Sequence, residues 1–374
     1  MTLPTLLSRT QRRFLRQQAP ARSTSLSRMA WHRFCRNKLS VASLVVIGLF
    51  VLMALLGYLI TPDHTPYCNQ QYLELATLKP FTRIQFTYVD DGQPKPIGTM
   101  LHGRPLGLTA IPTYAATPVG DSLVIEAYTG STPNHGPLRR VARSQVVSQG
   151  TRLFPLGTDG YGRDVLSMII IGSRVSLSVG FIAVLIALLI GITLGALAAY
   201  YGGWVDNLIT WFINVVWSIP TVLLVIAITF ALGKGFWQVF IAVGLTMWVD
   251  IARVVRGQVY SIKEKEYVEA ARALGLGTFR TIFRHILPNI TGAIIVVAAS
   301  NFASAILLEA GLSFLGIGVQ PPMPSWGTMV KENYSYILLD SAHLALLPGL
   351  AIMLLVLAFM LLGNGIRDAL DIKG

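Results

Sequence analysis

The chain has 374 residues, 53% of them hydrophobic and only 13% charged, with a mean hydropathy of +0.58. Soluble domains carry about 25% charged residues, so this composition excludes an ordinary water-soluble globule and indicates a polytopic helical membrane protein. The formal charge of +12 does not indicate a nucleic-acid partner, because the cations cluster beside apolar runs.

Residues 1–38 form a basic tail. Arg9, Arg12, Arg13, Arg16, Arg22, Arg28, Arg33, Arg36 and Lys38 all precede the first acidic residue, Asp63. Cations flanking a span favour the cytoplasmic side, so the tail is predicted to be cytoplasmic, where it can touch anionic lipid headgroups. Residues 39–60 form the first predicted span, with no charge from 41 to 60; a run of ~20 apolar residues matches the bilayer core. It exceeds a signal-peptide core and no A-x-A site follows, which predicts a retained anchor. Cys35 and Cys68 flank it and are expected in opposite compartments, so no disulfide joins them.

Residues 61–165 form a predicted extracytoplasmic insert richer in Pro, Tyr, Thr and Gln. Arg139, Arg140 and Arg143 sit against the charge rule, which long translocated segments escape. Residues 83–90 alternate apolar and polar and lead into Asp91-Gly92, a hairpin-turn signal, and 122–128 is a second strand candidate. Gly157, Gly160 and Gly162 lack phosphate-loop spacing and read as turns before a helix.

Residues 174–364 carry five more predicted spans, at 174–200, 204–231, 236–255, 289–313 and 343–364. A tail at 365–374 then returns to the cytoplasm. Arg253, Arg256, Lys263, Lys265, Arg272, Arg280 and Arg284 lie between spans four and five, consistent with that side. Tyr201, Gly202 and Gly203 form a tight turn, and Asp206 follows at the interface. Gly191 and Gly195, with Ala187 and Ala199 on the same face, predict close helix packing. Asp250 and Arg253 are expected to pair. Asn214, Ser300, Asn301 and Ser304 are candidate pathway-lining residues, the alternative being hydrogen bonds between helices. Glu309 and Asp340 are expected near the outer surface in solvated or capping roles.

The loop 256–288 is the most distinctive segment. Residues 260–274 are rich in helix formers, and Gly275 and Gly277 end that helix. Thr278 is expected to cap a second short helix, on which Phe279, Ile282, Phe283 and Ile286 form one apolar stripe. Arg280 and Arg284 lie off it. Pro288 should end or kink this helix. The stripe requires either the lipid interface or a groove in another protein.

Glu269-Ala270-Ala271, then Gly275, then Leu287-Pro288 resembles the EAA loop of the permease subunits of bacterial ABC importers. Arg284 to Asn289 is similar to the oligopeptide/dipeptide branch, where His285 replaces the general isoleucine. Residues 155–165 and 313–327 resemble that branch too, so the likeness covers roughly 28–60 and 153–372. The insert at 61–152 matches nothing named. The resemblance implies an all-α type I ABC importer permease fold with six transmembrane helices, extended here by a small β-containing insert. It further implies a second related permease subunit forming a heterodimer, two ABC ATPase subunits, an extracytoplasmic substrate-binding protein and a bacterial inner-membrane location. Glu269, Ala270, Ala271, Gly275, Thr278, Phe279, Arg280, Ile282 and Phe283 would dock the ATPase. ATP and magnesium would be bound by those partners, with no cofactor or metal in this chain.

No phosphate loop, H-E-x-x-H or G-x-S-x-G motif occurs, so the chain is expected to be non-catalytic. The function implied is oligopeptide or dipeptide import, with nickel, glutathione or another small solute as alternatives. A self-sufficient secondary transporter would instead show midplane ionisable residues and symmetric halves. A receptor sensing through 61–165 would not require five further spans.

Overall fold

The computed structural model describes residues 26–90, 92, 103–104, 107–130, 133, 136–233 and 235–370. Arg9, Arg12, Arg13, Arg16, Arg22, Asp91 and residues 371–374 lie outside them.

A short basic helix, α1 (Leu26–Arg36), leads into α2 (Lys38–Ile60). Asn37 caps α2, its side chain accepting from Leu39 N at 3.0 Å and Ser40 N at 3.4 Å. The insert follows, with strands β1 (Thr82–Val89), β2 (Thr109–Val119), β3 (Ser122–Ala127), β4 (Leu138–Ala142) and β5 (Val146–Phe154). They form one antiparallel sheet in the order β4-β3-β2-β1-β5. Ile84 and Phe86 of β1 point to one face, as its alternating pattern predicted, and pack with Tyr72, Leu75 and Phe154.

The remaining helices are α3 (Val165–Tyr201), α4 (Gly203–Trp217), α5 (Thr221–Leu232), α6 (Phe236–Lys263), α7 (Glu266–Ala273), α8 (Thr278–Phe314), α9 (Trp326–Asn333) and α10 (His343–Leu370). Among the described residues α2, α3, α6, α8 and α10 are long and apolar enough to cross a membrane. The straight span predicted over 204–231 is instead broken: α4 and α5 meet at 91° and make a sixth crossing only if counted together. The cause is Pro220, which lacks an N–H and disfavours helical backbone at Ile219 before it.

α3 begins at Val165, ahead of the predicted 174, because Asp164 caps it. Its Oδ2 accepts from Ser167 N at 2.9 Å and from Ser167 Oγ. The glycine-rich run just before is the joint between insert and helices. Asp159 Oδ1 accepts from Tyr161 N and Arg163 N, both at 2.9 Å, and its Oδ2 accepts from Arg163 Nε at 2.7 Å. Arg163 Nη2 also meets Glu332 of α9 at 2.5 Å. Gly162, at φ +73°, lies so close to Tyr72 O that a Cβ would fall 1.7 Å from it. Only glycine permits that approach.

The small-residue stripe of α3 packs on α6. A Cβ on Gly191 would fall 2.7 Å from Trp248 O, and one on Gly195 2.5 Å from Ala252 O. Ala187 and Ala199 are fully buried in the same core. Glu309 is not solvated: it is 0% exposed, because α8 continues past it and places it on one buried face with Ala305 and Ser313. Ser313 Oγ donates to Glu309 Oε1 at 2.7 Å. Asp340 is exposed and meets Lys79 Nζ at 3.3 Å.

Candidate functional site

The segment joining α6 to α8 is built from local rules. α7 carries Glu266 and Glu269 in its first turn and Arg272 in its last, each charge opposing the helix dipole. It ends in a Schellman turn. Gly275 N donates to Arg272 O at 2.9 Å, and Leu276 N donates to Ala271 O at 3.1 Å. Gly275 sits at φ +76°, the left-handed region that this turn requires. The N-cap of α8 is Gly277, not Thr278, which occupies the first helical position without a side-chain cap bond.

Pro288 does not end α8. The helix widens into a π turn over Ile282–Ile286, where Leu287 N donates to Ile282 O, and then resumes. The wider turn accommodates a proline that cannot supply an N–H to the ordinary ladder. Two side chains contribute below it: Asn289 Nδ2 donates to His285 O at 2.7 Å, and Thr291 Oγ1 to Leu287 O at 3.0 Å.

The predicted stripe divides into two faces. Ile282 and Ile286 are buried with Val255, Val259 and Val268, and Ala271 is buried beside them. Phe279 and Phe283 point the other way, 73% and 54% exposed, with ring centroids 4.2 Å apart. Leu274 extends this outer surface at 82% exposure, and Tyr267 is exposed on α7. Arg280, Arg284, Glu269 and Ala270 are exposed as well. One inward face holds the hairpin and one outward face is left apolar with a basic border.

Three contacts anchor the hairpin to the helices behind it. Lys263 Nζ donates to Ala199 O at 2.7 Å, satisfying a carbonyl at the end of α3. Arg272 lies over the Tyr200 ring at 4.6 Å. Arg256 holds Asp206 in a two-pronged pair, joined by Tyr260 Oη at 2.9 Å. Sequence reasoning placed Asp206 at an interface without finding its partner, since Arg256 is fifty residues away. Leu274 was missed because it lies outside the stripe's helical spacing.

Asp250 and Arg253 do not pair. Arg253 instead stacks over the Trp217 ring at 3.8 Å, because the bend after α4 brings that ring onto α6. Of the pathway candidates, Asn301 is buried and donates through Nδ2 to Met247 O at 3.2 Å, linking α8 to α6. Ser300 Oγ donates to Val296 O in its own helix. Asn214 is exposed and Ser304 half-buried. Among the described residues no group of three or more His, Cys, Asp or Glu could hold a metal ion.

A family model described as the binding-protein-dependent transport system inner membrane component matches residues 191–373. A second, the N-terminal TM domain of oligopeptide transport permease C, matches residues 25–80. The glutathione transport system permease protein GsiD of Pectobacterium atrosepticum is 44% identical over 218 residues, covering 58% of this chain and 72% of that protein. The dipeptide transport system permease protein DppC of Alkalihalophilus pseudofirmus is 45% identical over 217 residues, covering 58% and 71%. The inward-facing MetNI methionine ABC transporter aligns with a TM-score of 0.46 at 18% identity, over 55% of this chain and 97% of that one.

Proposed function

The chain belongs to the binding-protein-dependent transport system inner membrane components, and from that premise we propose how it works. It is a permease subunit of an ABC importer and a polytopic membrane protein. Relatives that transport dipeptides and glutathione are about equally similar to it, so the substrate is a short peptide, glutathione included.

The observation that carries the mechanism is the outward apolar face of Leu274, Phe279 and Phe283, mounted on buried Val268, Ala271, Ile282 and Ile286. Large apolar groups left exposed together mark an interaction site. The occupant is a separate ABC ATPase in the cytoplasm, which also binds the ATP and magnesium. Arg280 supplies a basic border, and Glu269 meets a cation on the partner. Ala270, at the exposed surface, and Thr278 permit close approach, and Gly275 sets the angle between α7 and α8. Movement of the ATPases pushes α8, a single helix from Thr278 to Phe314, and so tilts the spans directly.

The full assembly pairs this chain with a second related permease, two ATPases and an extracytoplasmic substrate-binding protein, in the bacterial inner membrane with both termini cytoplasmic. Asn214, Ser300 and Ser304 are its candidate pathway residues. Asn301 belongs with them only if its bond to Met247 O opens during transport.

The test is affinity purification of the full chain in mild detergent. ATPases and a binding protein should co-purify, and ATPase activity should rise with dipeptides or glutathione. Transport by this chain alone in ATP-free proteoliposomes would refute the reading.

A further inference from the structure

A groove of about 1270 Å³ runs along the hairpin end of the spans, between α1, α8 and the last turns of α10. One wall follows α8 from Pro288 to Ser300, which at 1.5 Å per residue is about 18 Å. That length matches one leaflet of a hydrocarbon core about 30 Å thick. Ile295 is exposed along this wall, and Leu44 of α2 is exposed beside it. Three polar residues of the wall are already engaged. Asn289 Nδ2, Thr291 Oγ1 and Ser300 Oγ all donate to carbonyls of their own helix. The groove therefore offers hydrocarbon along its length and few hydrogen bonds.

Its charge is of one sign. Arg33 and Arg367 line it, both exposed, and among the described residues no acid lines it. Asp368, next to Arg367, is exposed but lies outside the lining. Arg33 precedes the start of α2, and Arg367 is in the last turn of α10, so both charges sit where spans leave the bilayer. Buried Phe34 fastens α1 against Gly365 of α10. Trp31 stacks on Phe34 at 5.8 Å and stays exposed, as an interfacial tryptophan at headgroup level does.

We propose that this groove binds one anionic phospholipid of the leaflet on the hairpin's side, its acyl chain along α8 and its phosphate between Arg33 and Arg367. Basic pockets between spans recognise acidic headgroups in this way. Pro288 and Asn289 line the same groove, so the lipid braces α8 beside its π turn. Ser300 is the one candidate pathway residue that the site shares. Lipid binding is measured without ATPase or transport, so its failure leaves the permease assignment intact.

The experiment is native mass spectrometry of the full chain, released from nanodiscs holding equal amounts of dioleoylphosphatidylglycerol and dioleoylphosphatidylcholine. One phosphatidylglycerol per chain should be retained, preferred about thirtyfold over phosphatidylcholine by two cations. Arg33→Gln and Arg367→Gln should each lower that preference about fivefold. Arg36→Gln, an exposed cation of α1 outside the groove, should leave it unchanged. Ile295→Trp fills the groove from an exposed position, and should displace the lipid with the melting temperature unchanged, which guards against misfolding. Equal retention of the two lipids, retention unaltered by Ile295→Trp, or a preference lowered as much by Arg36→Gln as by Arg33→Gln overturns the proposal. So does a preference lost when the chain is purified within its full assembly, which would make the groove a contact with the second permease.

Discussion

Asp206 and Arg256 clamp α4 to α6 with two parallel bonds, Nε to Oδ1 at 2.6 Å and Nη2 to Oδ2 at 2.7 Å. Tyr260 Oη adds a third donor to the same carboxylate. The clamp sits at the root of the hairpin, about two turns before Lys263 reaches back to α3, so whatever moves the hairpin loads this pair.

Asp206→Asn keeps the shape and removes the charge. Paired geometry of this kind contributes about 1–3 kcal/mol. The melting temperature in nanodiscs should fall, and proteolysis within 260–288 should quicken. The exchange D206R/R256D should recover part of both. An unchanged protease pattern in Asp206→Asn would show that the clamp does not hold the hairpin.

Leu274→Ala, Phe279→Ala and Phe283→Ala should cost little stability, about 0.5–1.5 kcal/mol at most for losing the Phe279–Phe283 ring pair, because these side chains are largely exposed. Each should weaken co-purification of the ATPase by roughly tenfold or more, the usual effect of truncating a buried apolar anchor at an interface. Ile286→Ala is the contrast, since Ile286 is fully buried; it should cost about 2–5 kcal/mol of stability. Full ATPase recovery with all three outward variants would move the docking face elsewhere.

Gly195→Val should separate α3 from α6. Its first added carbon meets Ala252 O at 2.5 Å and Val255 Cβ at 3.0 Å, so the helices must shift, at about 1–3 kcal/mol. Gly48→Ala, on α2 with nothing within 4 Å, serves as the neutral control. Equal melting temperatures for the two variants would contradict the packing argument.

Burial pushes the Tyr72 phenol up to about 12, from an ordinary 10.0, with Arg152 pulling the other way. A raised folded value means the phenol stabilises the fold fully below pH 10.0, and this contribution is lost as pH rises to about 12. Alkaline difference titration of the parent against Tyr72→Phe should therefore miss a phenolate forming near pH 12. A missing phenolate with its midpoint near 10 would mean that Tyr72 is solvated.

The hairpin was largely legible before the fold was known. Gly275 in a left-handed turn, Ile282 and Ile286 at helical spacing, and the glycine stripe of α3 all follow from short-range rules. Thr278 was misplaced by one residue because Gly277 caps equally well by backbone alone. Pro220 is the break between α4 and α5, and the span predicted over 204–231 rested on apolar composition, which takes no account of a single proline. Three of the five strands escaped notice, and β2, with Pro112 and Pro118, carries residues that normally argue against a strand.

Apolar run length, helix propensity and glycine placement are properties of neighbours in the chain, and from them the spans, the hairpin and the small-residue stripe could be read directly. Which aromatic rings face outward, which arginine meets Asp206, and why Glu309 is buried among serines depend on which surfaces meet. Those meetings join different helices, with Asp206 and Arg256 fifty residues apart and Glu309 and Ser176 lying 133 apart, and only the packed arrangement of α3, α6 and α8 decides them.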